Sequence, residues 1–391
     1  MNGPGAGPGD AVGAVPPAVF VAHAQALSSA PGGLQLCTRE YLLTLRTAGF
    51  ALTTVAVEHD RRLLPRLGRR LWPRPYPPEW RPGLLEEVVA SAREIRARFI
   101  FLNLVNLAPF AALLRPRVGP RCKIVLLSHG LESVDSLHAI RARFGSEKSA
   151  GPARMERMLG RQLVEESVQR RYIDHVICLN PIEAEIERWL GTRSVSWLPR
   201  TIPDRVPLNW SPVLGRLGFV GTLDHPPNRD GLIQFLEVLE TLAPPEIEVR
   251  VVGGPSAAGA ELAKRFRLVR YLGALSDEEL DQEASTWTCL VHPLFCYARG
   301  CSTKLAVALS WQIPVLTTPQ GCRGYTWREG SLPSADTPEA FARLALRLAD
   351  PEPAAQKEVA AIVRSAPTLN DVAALVRGAL LSGGAIKDVG G

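Results

Sequence analysis

What most constrains the fold of this chain is a rhythm: short β-branched and apolar runs alternate with helically spaced segments, halt at a proline-dotted stretch, and start again. In the first half the runs fall at residues 18–22, 51–57, 99–102, 123–127, 175–179 and 194–198. In the second half they fall at 217–220, 248–252, 269–271, 289–292 and 314–317. Between them lie helical patterns such as Tyr41, Leu42 and Leu45. The rhythm predicts parallel strands joined by crossover helices, with both sheet faces covered. A chain of 391 residues also exceeds what one hydrophobic core supports. The expected fold class is therefore α/β, with two tandem Rossmann-like, doubly wound parallel-sheet domains and a cleft between them.

The expected divisions are a disordered leader over 1–16, an N-terminal domain over 17–200, a linker over 201–212 and a C-terminal domain over 213–368. A last helix over 369–381 and a disordered tail over 382–391 follow. The leader has neither the basic start nor the apolar stretch of a secretory signal, so a cytoplasmic location is expected. A net charge of +6 favours anionic partners, but no concentrated basic stripe with interleaved aromatics argues for nucleic acid. The nearest approach to one is residues 61–82, with seven arginines around Trp72, Tyr76 and Trp80. Such a segment suits either a peripheral contact with an anionic membrane or a solvated loop with tucked aromatics. Seven cysteines without C-x2-C pairing read as reduced structural thiols, and no metal or cofactor is expected.

Ligands of open parallel sheets bind beyond the carboxyl ends of the strands, so chemistry is sought in the loops there. Gly221 and Thr222 follow a strand and precede a helix, an arrangement that presents backbone N–H groups to a phosphate, with Arg229 as counter-charge. Gly300, Ser302, Thr303 and Lys304 put small residues, two hydroxyls and an ammonium at another helix start, which suits a pyrophosphate or simply caps the helix. Gly33, before the first helix, permits close backbone approach. His129 closes a strand in a loop with Glu132 and Asp135, where an imidazole serves as hydrogen-bond donor or proton relay.

Together these pieces resemble the GT-B glycosyltransferases of the retaining group 1 or family 4 type, over nearly the whole chain. Phe219 to Asp224 with Pro227 to Leu232 is similar to that family's opening strand and turn of the second domain. Tyr271-Leu272-Gly273-Ala274-Leu275 resembles the stretch whose backbone meets the nucleotide base, which implies a role for Ala274. Pro293 to Lys304, then Ile313-Pro314-Val315, resembles the segment that embraces a sugar diphosphate; His129 matches a histidine beside the transferred sugar. The resemblance implies a nucleotide-diphosphate-sugar donor held by Gly33, Gly221, Thr222, Arg229, Ala274, Arg299, Ser302, Thr303 and Lys304. It also implies an acceptor that is a glycan, a lipid-linked molecule, a small molecule or a peptide, and a last helix packed back on the N-terminal domain.

One departure stands out. Where the family carries two glutamates in an E-x7-E arrangement, this chain has Arg299 and Val307, with Gln312 where glycine is usual. A valine accepts no hydrogen bond from a ribose hydroxyl, a loss of about 1.5 to 3 kcal/mol of donor binding. Two explanations compete: a divergent enzyme that holds the ribose by other groups, or a non-catalytic relative that binds a nucleotide sugar or a partner protein. A sugar-nucleotide epimerase is a third reading, but it wants several cleft carboxylates that the sequence does not identify.

Overall fold

The computed structural model describes residues 15–29, 32–58, 76, 80–144 and 152–381. Most of the leader, the tail 382–391 and most of the arginine-rich stretch 61–82 lie outside the described residues. The N-terminal domain runs β1 (Pro17–His23), α1 (Gly33–Thr47), β2 (Ala51–Val57), α2 (Leu84–Glu94), β3 (Phe99–Asn103), α3 (Ala108–Val118), β4 (Lys123–Leu127), α4 (Glu132–Phe144), α5 (Pro152–Arg170), β5 (His175–Cys178), α6 (Pro181–Trp189) and β6 (Val195–Trp197). Its strands pair in parallel in the order β2-β1-β3-β4-β5-β6.

The C-terminal domain runs β7 (Arg216–Val220), α7 (Pro226–Leu242), β8 (Glu248–Val252), α8 (Ser256–Arg265), β9 (Val269–Gly273), α9 (Asp277–Ala284), β10 (Cys289–His292), α10 (Thr303–Ser310), β11 (Val315–Thr317), α11 (Pro338–Arg347) and α12 (Pro353–Ser365), with α13 (Leu369–Leu381) at the end. Its sheet is parallel in the order β11-β10-β7-β8-β9. Both sheets are doubly wound.

The strand period of two divides each run between two cores. In β3, Ile100 and Leu102 enter one core with Val19, Val21, Ile124 and Leu126, while Phe99 and Phe101 enter the other, edge-on to Phe50 at 5.2 Å. In β10, Cys289 and Val291 face one side and Leu290 the other. Helix α13 leaves the second domain and buries Val372, Ala373 and Val376 against Cys37, Tyr41 and Leu45 of the first, with Arg377 donating to the Thr47 carbonyl at 3.1 Å. The linker, though aperiodic, is pinned: the Thr201 hydroxyl donates to Glu40 at 3.1 Å, and Trp210 donates to the Trp287 carbonyl at 2.7 Å.

One local feature differs from the sequence expectation. Glu132 and Asp135 sit not in a loop but in the first turn of α4, where acids face the positive end of the helix dipole; its apolar residues are interspersed with polar ones, so that helix gives little periodic signal. In the arginine-rich stretch two aromatics are tucked in, one of the two alternatives read from sequence: Tyr76 is buried with its hydroxyl on Glu166, and the partly buried Trp80 packs on Phe110 at 4.7 Å.

Candidate active site

Three helices aim their N-termini into the cleft: α1 from Gly33, α7 from Pro226 and α10 from Thr303. None of them has a side-chain cap. The first turn of a helix leaves N–H groups without intrahelical partners and carries about half a positive charge. In α7 that turn begins with Pro226 and Pro227, which carry no N–H, and Asn228 and Arg229 donate to the His225 carbonyl at 3.1 Å, so α1 and α10 supply the free N–H groups and α7 only its dipole. Elsewhere α6, α9 and α11 are capped by Asn180, Ser276 and Thr337, whereas α2, α3, α8 and α12 have no side-chain cap. The three cleft helices meet around a cavity of 470 Å³, walled by Gly33 from the first domain and by Thr222, Asp224, Asn228, Thr303 and Lys304 from the second. The domains touch here, since a Cβ on Gly33 would lie 3.3 Å from Thr303 Oγ1.

Lys304 is the cation of this site. Its Nζ is buried without a hydrogen-bond partner among the described residues, 6.0 Å from the centroid of the Phe219 ring. Burial pulls its pKa down to about 7. Gly221 makes room for it: a Cβ there would stand 2.7 Å from the ammonium nitrogen. So the glycine after β7 serves the approach of a side chain. Ser302 occupies the N-cap position of α10 but bonds His292 Nε2 at 3.0 Å, and His292 Nδ1 meets Thr317 Oγ1 at 3.0 Å. Burial, then the charges of Lys304 and Arg323, hold His292 neutral, with its pKa lowered to about 3.

Arg299 behaves differently. It lies on the cavity wall, but its guanidinium is spent on the first domain: NH1 on Glu132, and Nε on Asp135 at 3.0 Å, with its backbone N–H on Asp135 at 3.1 Å. Gly300 is clamped beside it. Its N–H donates to Glu183 at 2.6 Å, and its carbonyl accepts from Asn180 at 2.8 Å and Arg323 at 2.8 Å. Gly300 has φ of 65° and Gly130 has φ of 114°, and the two pass so closely that a Cβ on Gly300 would stand 2.3 Å from the His129 carbonyl. Burial lifts the Glu183 carboxyl to about 7, opposed by the Gly300 N–H and by Arg323.

His129 follows β4 with Nε2 at 2.8 Å from Asn103 Oδ1 and its ring 5.4 Å from that of Tyr41. Burial and the charges of Arg200 and Arg299 push its pKa down to about 3. Of the residues predicted to bind a donor, the structure gathers Gly33, Thr222, Arg299, Ser302, Thr303 and Lys304 on one cavity wall. Gly221 lies behind Lys304, Arg229 is exposed and pairs with Asp230 at 3.3 Å, and Ala274 and His129 stand off the wall. Sequence reading missed Asn103, Asn180, Glu183 and Arg323; each acts across more than twenty residues of sequence, where periodicity carries no signal.

Residues 215–350 match the family model described as glycosyl transferases group 1. No curated protein sequence matches the chain. Among solved structures, the chain is similar to sucrose-phosphate synthase from Thermosynechococcus elongatus, at 16% identity and TM-score 0.58, over 92% of this chain and 97% of that one. It is also similar to the lipopolysaccharide outer core galactosyltransferase WaaB, at 14% and 0.58, over 94% and 99%. A third is the Anabaena protein HepE in complex with UDP and glucose, at 13% and 0.55, over 93% and 95%. With two doubly wound domains around a common cleft, the chain is a GT-B fold protein, and its residues 215–350 match the model of the group 1 glycosyl transferases.

Proposed function

We propose that the chain transfers a sugar from a nucleotide-diphosphate donor to an acceptor approaching from the N-terminal domain, with retention at the anomeric carbon. The observation that carries this reading is Lys304: a buried ammonium with no partner, placed where three uncapped helix N-termini converge. Desolvating a cation costs several kcal/mol unless an anion meets it, and a diphosphate supplies both the charge and the oxygen acceptors that the free N–H groups of α1 and α10 need. As the bond from the anomeric carbon to the diphosphate breaks, its electron pair passes to the phosphate oxygen. Lys304 and the helix ends are aimed at that growing charge. The solved complex of HepE with UDP and glucose makes uridine diphosphate the first probe.

Arg299 and Val307 favour a second reading, a binding protein without transfer, because the arginine is committed to Glu132 and Asp135 and the valine packs into an apolar cluster with Leu272 and Leu275. Thermal-shift titration with UDP, GDP and dTDP sugars, followed by donor-hydrolysis and transfer assays, separates the two. A stabilising shift with turnover supports the transferase. Shift without turnover supports a nucleotide-sugar-binding protein, and no shift with any donor overturns both of these and leaves the relative that binds a partner protein.

A further inference from the structure

Beside the cavity, three polar side chains form a line whose protons are fixed by elimination. Thr38 Oγ1 lies 2.9 Å from the Leu34 carbonyl, one helical turn back in α1. A carbonyl only accepts, so the single hydroxyl proton of Thr38 points there. Thr38 Oγ1 is therefore an acceptor toward its other neighbour, Asn103 Nδ2, at 2.9 Å. With its NH2 end on Thr38, Asn103 turns Oδ1 to His129 Nε2 at 2.8 Å, and that nitrogen must donate. Asn103 and Thr38 are fully buried, and Ser128, next to His129, is held by the Tyr41 hydroxyl on its carbonyl at 2.9 Å. Neither end of the line is free to rotate.

A neutral imidazole has one N–H, and here it is used. Burial and the facing charges of Arg200 and Arg299 exclude the imidazolium, with a pKa near 3. His129 Nδ1 makes no hydrogen bond among the described residues and is not sealed from solvent, since it is missing from the buried atoms that lack partners and the residue is only half-buried. We infer that Asn103, oriented by Thr38, is a positioning residue that locks His129 in the Nε2–H tautomer, so that His129 presents a bare Nδ1 lone pair to a substrate hydroxyl. His129 thus accepts a hydrogen bond from the sugar or the acceptor and does not donate one. This replaces the donor role expected from sequence. The consequence for catalysis rests on the transferase reading above, whereas the tautomer does not.

The test is two-bond 1H–15N NMR of the full chain labelled at histidine, with the His129 signals assigned through their loss in His129→Gln. The expected spectrum is that of the Nε2–H tautomer, unchanged over about pH 5 to 8, the window in which an ordinary histidine titrates. An Nδ1–H tautomer, or a titration within that window, overturns the inference. In Asn103→Leu the expected spectrum is a tautomer mixture, with donor KM within about threefold and kcat down about 10- to 100-fold, less than the roughly 100- to 10,000-fold that a whole acid–base group contributes because part of the population keeps the right tautomer. In Asn103→Asp a carboxylate faces Nε2, and the His129 titration should rise into the observed window. If Asn103→Leu lowers kcat while the tautomer stays pure, Asn103 acts only through packing and the inference fails. Should either variant not fold, the wild-type spectrum alone decides. If no donor is turned over, the transferase reading fails, while the spectrum still decides the tautomer.

Discussion

Arg299 and Lys304 are five residues apart on one segment, and the two cations have opposite fates. Arg299 is drawn to two carboxylates of the other domain; Lys304 has none, although its nitrogen is the more deeply buried. Elsewhere this protein treats a buried cation as one expects: Arg170 is gripped by Glu187 through bonds of 2.7 and 2.6 Å. The lesson is that the segment has two duties. Its first half joins the domains, and in the function proposed above its second half receives the donor's diphosphate.

Replacing the unpaired cation should have the largest effect. Lys304→Met keeps the length of the side chain and removes the charge, so donor affinity should fall about 10- to 150-fold, the worth of one charged hydrogen bond. The unliganded protein should gain about 1 to 2 kcal/mol, because a buried unpaired ammonium is lost. The pH dependence has a definite sign. With a folded pKa near 7 against an ordinary 10.5, the unfolded chain binds more protons between those values, so wild-type stability should rise with pH from about 7 to 10. Below pH 7 both states hold the proton and the full cost remains. Urea unfolding with and without UDP checks both parts; an unliganded Lys304→Met that is less stable than wild type would sink the distinction between the two cations.

The joining half is tested first at Gly300. Gly300→Ala puts a Cβ 2.3 Å from the His129 carbonyl and onto a backbone of φ 65°, and it should cost about 2 to 4 kcal/mol by overpacking and strain. Gly160→Ala, in α5 with open space around it, is the matched control and should gain up to about 1 kcal/mol. Next comes Arg299→Ala. The pair is partly exposed, so its loss should cost about 1 kcal/mol and loosen the domains, read as a larger radius of gyration in solution scattering. Donor affinity should change less than about threefold, because the guanidinium already serves Glu132 and Asp135. A fall as large as that of Lys304→Met would return Arg299 to the donor site.

The sequence made one of these halves legible and hid the other. Strand–helix alternation and the run Ser302-Thr303-Lys304 before an apolar helix are local patterns, so the sheets, α10 and its lysine were readable from residue types alone. The partners of Arg299 were not, because they lie on α4, more than 160 residues earlier, in a helix too polar to show its period. The Asn103–His129 contact is hidden in the same way: it depends on β3 and β4 being neighbours, a fact of strand order and not of either run. Gln312 shows a middle case. Its departure from glycine was visible, but only the structure shows that it adopts φ of 55° after α10, the left-handed position that glycine usually fills.

The smallest expected effect sharpens the boundary between the halves. Ser302 lies between Gly300 and Lys304, and from sequence it belongs with the lysine as a diphosphate ligand. Its hydroxyl, however, is engaged by His292 Nε2, and the pair is continued by Thr317 on Nδ1. The His292 imidazole stays neutral, so this is an ordinary neutral hydrogen bond, worth about 1 kcal/mol. Ser302→Ala should therefore cost about that much stability and change donor affinity less than about twofold, measured by the same UDP titration. If it weakens UDP binding as strongly as Lys304→Met does, the hydroxyl turns from His292 to the ligand when the site fills, and the donor-binding half of the segment begins two residues earlier, at Ser302.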